Sequence, residues 1–136
     1  MMIEMNAILP VKDALTTPWF EAAEQERLLI QRDPTTGKVQ MYPRARIAGA
    51  PEREPEWVQA SGRATLYSFT VVQRSLHPQF AGLEPFVIAM VDLEEGARLT
   101  SWIVDVPLEQ LRCDMLLRVV FREIHAGLTM PCFTGA

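Results

Sequence analysis

From Trp57 to Gln73 the chain alternates apolar and polar side chains over more residues than an ordinary strand holds. Such a run must bend, and Gly62 is the place where a bulge or bend is expected. A long bent strand followed by further strands is what a small closed barrel requires, because coiling the sheet removes its exposed edges. The followers are present. Pro85 to Glu94 reads as an apolar strand, Glu95-Gly96 as a turn, and Arg98 to Val104 as the returning arm of a hairpin. Pro107 to Leu111 reads as one helical turn, Leu116 to Glu123 alternates, and Leu128 to Phe133 supplies a closing strand.

Five strands with Greek-key spacing predict an OB-fold barrel, so the chain is mainly β. Upstream, Arg32 to Arg44 has the layout of half a zinc ribbon. Short extended runs, Leu28 to Arg32 and Lys38 to Tyr42, flank a turn from Asp33 to Gly37. In a zinc knuckle two thiolates would grip a tetrahedral metal from such a turn. Here those places hold Asp33 and Thr36, and the second pair falls near Ile47 and Ala50, so no zinc is expected. Thr17-Pro18 reads as a helix start, with good helix formers from Trp19 to Leu28. Pro43 to Pro55 reads as a proline-rich loop, with Pro51 to Pro55 as a solvated linker. The expected division is an N-terminal arm over 1–15, a helix with a degenerate ribbon over 16–55, and the barrel over 56–136.

At 136 residues, with 49% apolar side chains, the chain is long enough to bury a core without staples. A formal charge of -4 argues against a nucleic-acid surface, since phosphate binding needs clustered cations and the one cluster of note is Arg44 to Arg46. No apolar run is long enough to cross a bilayer, and no membrane partner is expected. The first residues lack the basic start and apolar centre of a secretory signal, which predicts a cytoplasmic address. Cys113 and Cys132 are expected as buried thiols.

The order of helix, knuckle-shaped hairpin, proline-rich loop and Ser61-Gly62 strand resembles the acyl-CoA-associated family known as domain of unknown function thirty-five. The residues carrying the resemblance are Trp19-Phe20, Gly37 to Gln40 with Tyr42 to Arg44, Ser61-Gly62, Pro85 to Leu93, Glu95-Gly96, and Leu116 to Phe121. The family joins a rubredoxin-like zinc ribbon to an OB-fold. The resemblance implies a non-catalytic accessory subunit that docks on a thiolase-like, aldolase or hydratase partner within an acyl-CoA or acyltransferase complex. It also implies a CoA thioester shared with that partner, in a hetero-oligomer or homo-oligomer. A structural zinc contributes on the order of 10 kcal/mol to its knuckle, and burial of a few hundred Å² of apolar surface would offset that. Met41, Tyr42, Ile47 and Trp57 are the side chains available, which predicts a hydrophobic or partner-supported flap.

Catalysis needs converging groups of tuned acidity, and the sequence offers none. His77 and His125 lack neighbours at metal-ligand spacing and read as structural, while Asp92, Glu94 and Glu95 read as solvated turn residues. A barrel of this kind binds through the face and loops around its first strands. The loop from Gln73 to Pro85 therefore nominates Arg74 for a CoA phosphate and Phe80 with Trp102 for a pantetheine arm or acyl chain, with Tyr67 and Gln73 beside them. Trp19 and Phe20, two large rings on a short helix, are the candidate partner interface, with packing on the rest of the chain as the alternative. Two other functions compete: a single-stranded nucleic-acid binder, and a stand-alone acyl-CoA thioesterase or hydratase.

Overall fold

The computed structural model describes residues 9–136; of the expected arm, residues 1–8 therefore lie outside the described residues. One α-helix, α1 (Thr17–Glu24), precedes eight strands: β1 (Leu29–Arg32), β2 (Val39–Gln40), β3 (Glu56–Gln59), β4 (Arg63–Val72), β5 (Phe86–Leu93), β6 (Arg98–Ile103), β7 (Leu116–His125) and β8 (Leu128–Gly135). Among the described residues no helix is long and apolar enough to cross a membrane.

The first three strands form an antiparallel sheet in the order β2-β1-β3, and the last five close a barrel in the order β4-β5-β6-β8-β7. The alternation from Trp57 to Gln73 is thus shared between two sheets rather than spent on one bent strand. The break falls at Ala60 to Gly62. Gly62 has φ +86, and a Cβ placed on it would lie 2.5 Å from Val119 Cγ1, so only glycine lets the chain pass against β7 there. Because β3 pairs with β1, the chain passes from the first sheet to the barrel after Gln59. The bulge inside β4 lies between Leu66 and Ser68.

Period-two alternation on β5 turns Val87, Ala89, Val91 and Leu93 inward, where they meet Leu66, Leu117 and Phe133. Trp19, Phe20, Leu28 and Ile30 belong to the same apolar cluster, so helix, ribbon and barrel share one core. The helix is shorter than expected. It ends at Glu24, and Glu26 turns to φ 57. Before it, the Thr16 N–H donates to Asp13 Oδ1 (2.8 Å) while the Asp13 N–H donates to Thr16 Oγ1 (3.1 Å), a reciprocal turn that aims Trp19 and Phe20 at the barrel. Lys12 ties the described part of the arm to the β7–β8 turn by donating to the Gly127 carbonyl (2.9 Å).

The stretch from Pro51 to Pro55 keeps Pro51, Glu52 and Glu54 exposed, as a solvated linker would, but it is tied down. Arg53 returns onto Asp33, Glu54 pairs with Arg46, and Ile47 bridges Ala50. Cys113 also departs from expectation: it is exposed in the turn before β7, while Cys132 is buried.

Candidate functional site

The barrel does not close evenly. Between β6 and β8 the only ladder pair is Ile103 with Phe133, and toward Leu99 the two strands part. Ser101 Oγ reaches across by donating to the Pro131 carbonyl (2.8 Å), and the Thr100 N–H, left without a strand partner on that side, donates to the hydroxyl of Tyr42 (2.7 Å). The ribbon's exit loop is thereby bonded to the edge of the barrel.

In this seam lies a cleft of about 520 Å³. Leu99 to Trp102 form one wall and Met130 to Cys132 the other. Met41 to Pro43 close it from the ribbon, Trp19 and Phe20 from the helix, and Phe80 from the loop after β4. Its surface is mostly apolar, with Thr16, Thr100 and Ser101 as scattered hydroxyls. Phe80 and Trp102 line it edge to face at 6.0 Å, and Phe86, tilted against both at 5.7 Å and 5.3 Å, completes an aromatic cluster. Trp19 and Phe20 meet edge to face at 5.1 Å. The indole N–H of Trp19 is buried with no acceptor among the described residues. Burial pushes the thiol of Cys132 up to about 11, so it is a small apolar wall group rather than a nucleophile.

Of the residues nominated from sequence, the structure brings Phe80 and Trp102 together in this cleft. It does not bring Tyr67, Gln73 or Arg74 there. The bulge turns Tyr67 to the outside of the barrel, where the Arg98 guanidinium lies 3.5 Å from its ring centre. Arg74 and Gln73 are exposed at the start of the loop. Trp19 and Phe20, expected as an outward docking pair, are only 8% and 7% exposed, because the open seam gives a short helix something to cover. Leu9, Pro10, Met41 and Tyr42 also line the cleft, and no sequence period marks them.

No catalytic set assembles among the described groups. His77 caps a 3-10 turn by accepting from the Gln79 N–H (3.3 Å), and His125 lies 3.2 Å from the Ala126 carbonyl oxygen. Asp92 is held below the usual carboxylate range by Arg98, and Glu94 by Arg63. Glu94 and Glu95 are not idle turn acids, since they accept from Ser61 Oγ (2.9 Å) and the Ser61 N–H (2.7 Å) and so knot the β5–β6 turn to the joint between the sheets.

At the positions expected to have lost a metal, Asp33 is 2% exposed and accepts from Thr36 Oγ1 (3.0 Å) and the Thr35 N–H (2.9 Å), while Ile47 and Ala50 are buried apolar groups. Among the described residues no cluster of three or more His, Cys, Asp or Glu could hold a metal ion. Gln31, 1% exposed, was not anticipated. Its amide donates to the Arg44 carbonyl (2.9 Å) and accepts from the Arg44 N–H (2.9 Å), as a neighbouring strand would. The backbone of Arg44 is thus built into the ribbon, while its side chain is exposed and Arg46 pairs with Glu54 at the surface.

A small ribbon sheet bonded to a five-stranded barrel with a cleft in its seam defines a ribbon-plus-barrel class of protein. Residues 20–46 match the ChsH2 rubredoxin-like zinc ribbon domain, and residues 57–122 match the ChsH2 C-terminal OB-fold domain. The chain belongs to the DUF35 family. It is 33% identical over 108 residues to a DUF35 domain-containing scaffold protein of Methanocaldococcus jannaschii, covering 78% of this chain and 75% of that protein. It is 32% identical over 118 residues to a probable enoyl-CoA hydratase alpha subunit of Thermomonospora curvata, covering 87% of this chain but only 36% of that longer protein. A solved structure described as the Ltp2-ChsH2(DUF35) aldolase superposes with a TM-score of 0.82 at 30% identity, covering 93% of this chain and 98% of that one. The ribbon match implies zinc, but Asp33, Thr36, Ile47 and Ala50 do not make a donor set for it.

Proposed function

We propose that this chain is a non-catalytic accessory subunit that docks on an aldolase, hydratase or thiolase-like enzyme and takes the acyl or pantetheine arm of a CoA thioester into the seam cleft. The observation that carries this reading is the cleft itself: an apolar cavity of about 520 Å³ lined by the Phe80 and Trp102 rings, with no catalytic set in its walls. Kinship with an aldolase complex and a hydratase subunit supports the choice of partner. Six arginines, Arg32, Arg46, Arg53, Arg63, Arg98 and Arg122, are paired with carboxylates, which leaves little for a basic groove along the barrel. The ribbon works without zinc in this reading. A reducing cytoplasm, which keeps an exposed thiol such as Cys113 free, is the compartment that goes with it.

Co-expression with a candidate thiolase-like, aldolase or hydratase enzyme from the same organism, followed by gel filtration, tests the docking. Separate elution, with enzyme activity indifferent to this chain, overturns the accessory role. Trp102→Ala tests the cleft: the complex should still form while turnover of a long-chain thioester falls about tenfold or more, the loss of one buried aromatic contact. Unchanged turnover removes the cleft from the proposal.

A further inference from the structure

We infer that the Arg53 guanidinium takes the place of the metal in this ribbon, cross-linking its two knuckles as a cation supplied by the chain itself. The inference rests on the metal-free reading above and goes beyond it by naming what holds the knuckles together. The first knuckle is the turn from Asp33 to Lys38, closed by the Gly37 N–H donating to the Asp33 carbonyl (2.8 Å) and the Asp33 N–H donating to the Lys38 carbonyl (2.7 Å). The second runs from Ile47 to Arg53, closed by the Ala50 N–H to the Ile47 carbonyl (3.0 Å) and the Ile47 N–H to the Arg53 carbonyl (3.1 Å). From this second turn Arg53 reaches back to the first. Its Nε lies 3.1 Å from both carboxylate oxygens of Asp33, and its Nη2 lies 2.7 Å from Oδ2.

Burial separates this contact from an ordinary surface pair. Arg32–Glu56 and Arg46–Glu54, the ribbon's other cross-links of this kind, have side chains between 43% and 74% exposed, whereas the Asp33 carboxylate is 2% exposed. A carboxylate so enclosed needs a counter-charge and filled hydrogen-bond sites, and Arg53, Thr36 and the Thr35 N–H supply both. The donor chemistry points the same way. Zinc asks for several anionic or imidazole ligands, while one carboxylate balances one guanidinium. Arg53 Nη1 also lies 3.2 Å from the exposed Glu52 carboxylate, while the two remaining knuckle positions, Ile47 and Ala50, are apolar, packed and add no donor of their own. Lysine cannot substitute, because a point charge does not reproduce the fork that spans both carboxylate oxygens.

The test uses the full chain, with metal analysis and thermal unfolding of wild type, Asp33→Asn, Arg53→Met, Arg53→Lys and the double variant D33N/R53M. Fewer than about 0.1 zinc per chain is expected, with no change in midpoint on adding a chelator. Arg53→Met should lower the midpoint by roughly 8 °C and Asp33→Asn by less, since a stranded guanidinium can swing into water and a stranded carboxylate cannot. Arg53→Lys should recover under half of the loss, and the double variant should fall well short of the sum. About one zinc per chain, removed by a chelator together with the midpoint, overturns both this inference and the metal-free reading. A metal-free chain in which Asp33→Asn and Arg53→Met each move the midpoint by less than about 1 °C, or act additively, overturns the cross-link alone.

Discussion

The ribbon and the barrel solve the same problem with opposite chemistry. In the barrel, Leu66, Val91, Leu117 and Phe133 are almost wholly removed from water and the strands need little else. In the ribbon the most deeply buried groups besides Ile30 are Gln31 and Asp33, each satisfied by a specific partner. A three-stranded sheet with a two-residue strand has too little apolar area to hold itself, so it relies on directional bonds where the barrel relies on area. Polar groups that fit in one arrangement fix a unique geometry.

Four measurements would break or sharpen this contrast, and the largest effect belongs to the barrel. Phe133→Ala, at 0% exposure in the centre of the core, should cost about 4 kcal/mol in urea unfolding. At the joint, Gly62→Ala should cost about 2 kcal/mol, because the new methyl meets Val119 at a φ that L-residues resist. Within the ribbon, Gln31→Leu should cost about 1.5 kcal/mol by stranding the Arg44 N–H and carbonyl. If the ribbon change proves as damaging as the core change, the two regions do not differ in kind.

The fourth measurement is a pH profile. Bonding to Arg53 lowers the Asp33 carboxyl from 3.8 to about 2. Because the folded value is the lower one, the stabilisation is complete above pH 4 and fades as pH falls toward 2. The stability gap between wild type and Asp33→Asn should therefore narrow across that window and stay flat from pH 5 to 8. A gap that widens toward acid reverses the sign and removes the ion pair as its cause.

What the sequence disclosed follows the same divide. Alternation is a local signal, so Val87, Ala89, Val91 and Leu93 announce a barrel strand before any partner is known. The helix start at Thr17-Pro18 and the turn at Glu95-Gly96 are local in the same sense. Arg53 is different. It stands in a charged, proline-flanked stretch that reads as linker, and its partner is 20 residues away. A single acid at a vacated ligand position was the available signal, since a lone buried Asp calls for a cation from the opposite knuckle. The burial of Trp19 and Phe20 is illegible in sequence for a related reason: the gap between β6 and β8 that receives them exists only once the barrel has formed. Tyr67 was nominated from its neighbourhood in sequence, and the one-residue slip of the bulge beside it put its ring on the outer wall.

The bond from the Thr100 amide to the Tyr42 hydroxyl gives the ribbon a lever on the barrel. A displacement of the three-stranded sheet reaches the lip of β6 through that bond, so the ribbon and the mouth of the cleft are mechanically joined. Under the proposed function, recruitment and admission would then be one event rather than two.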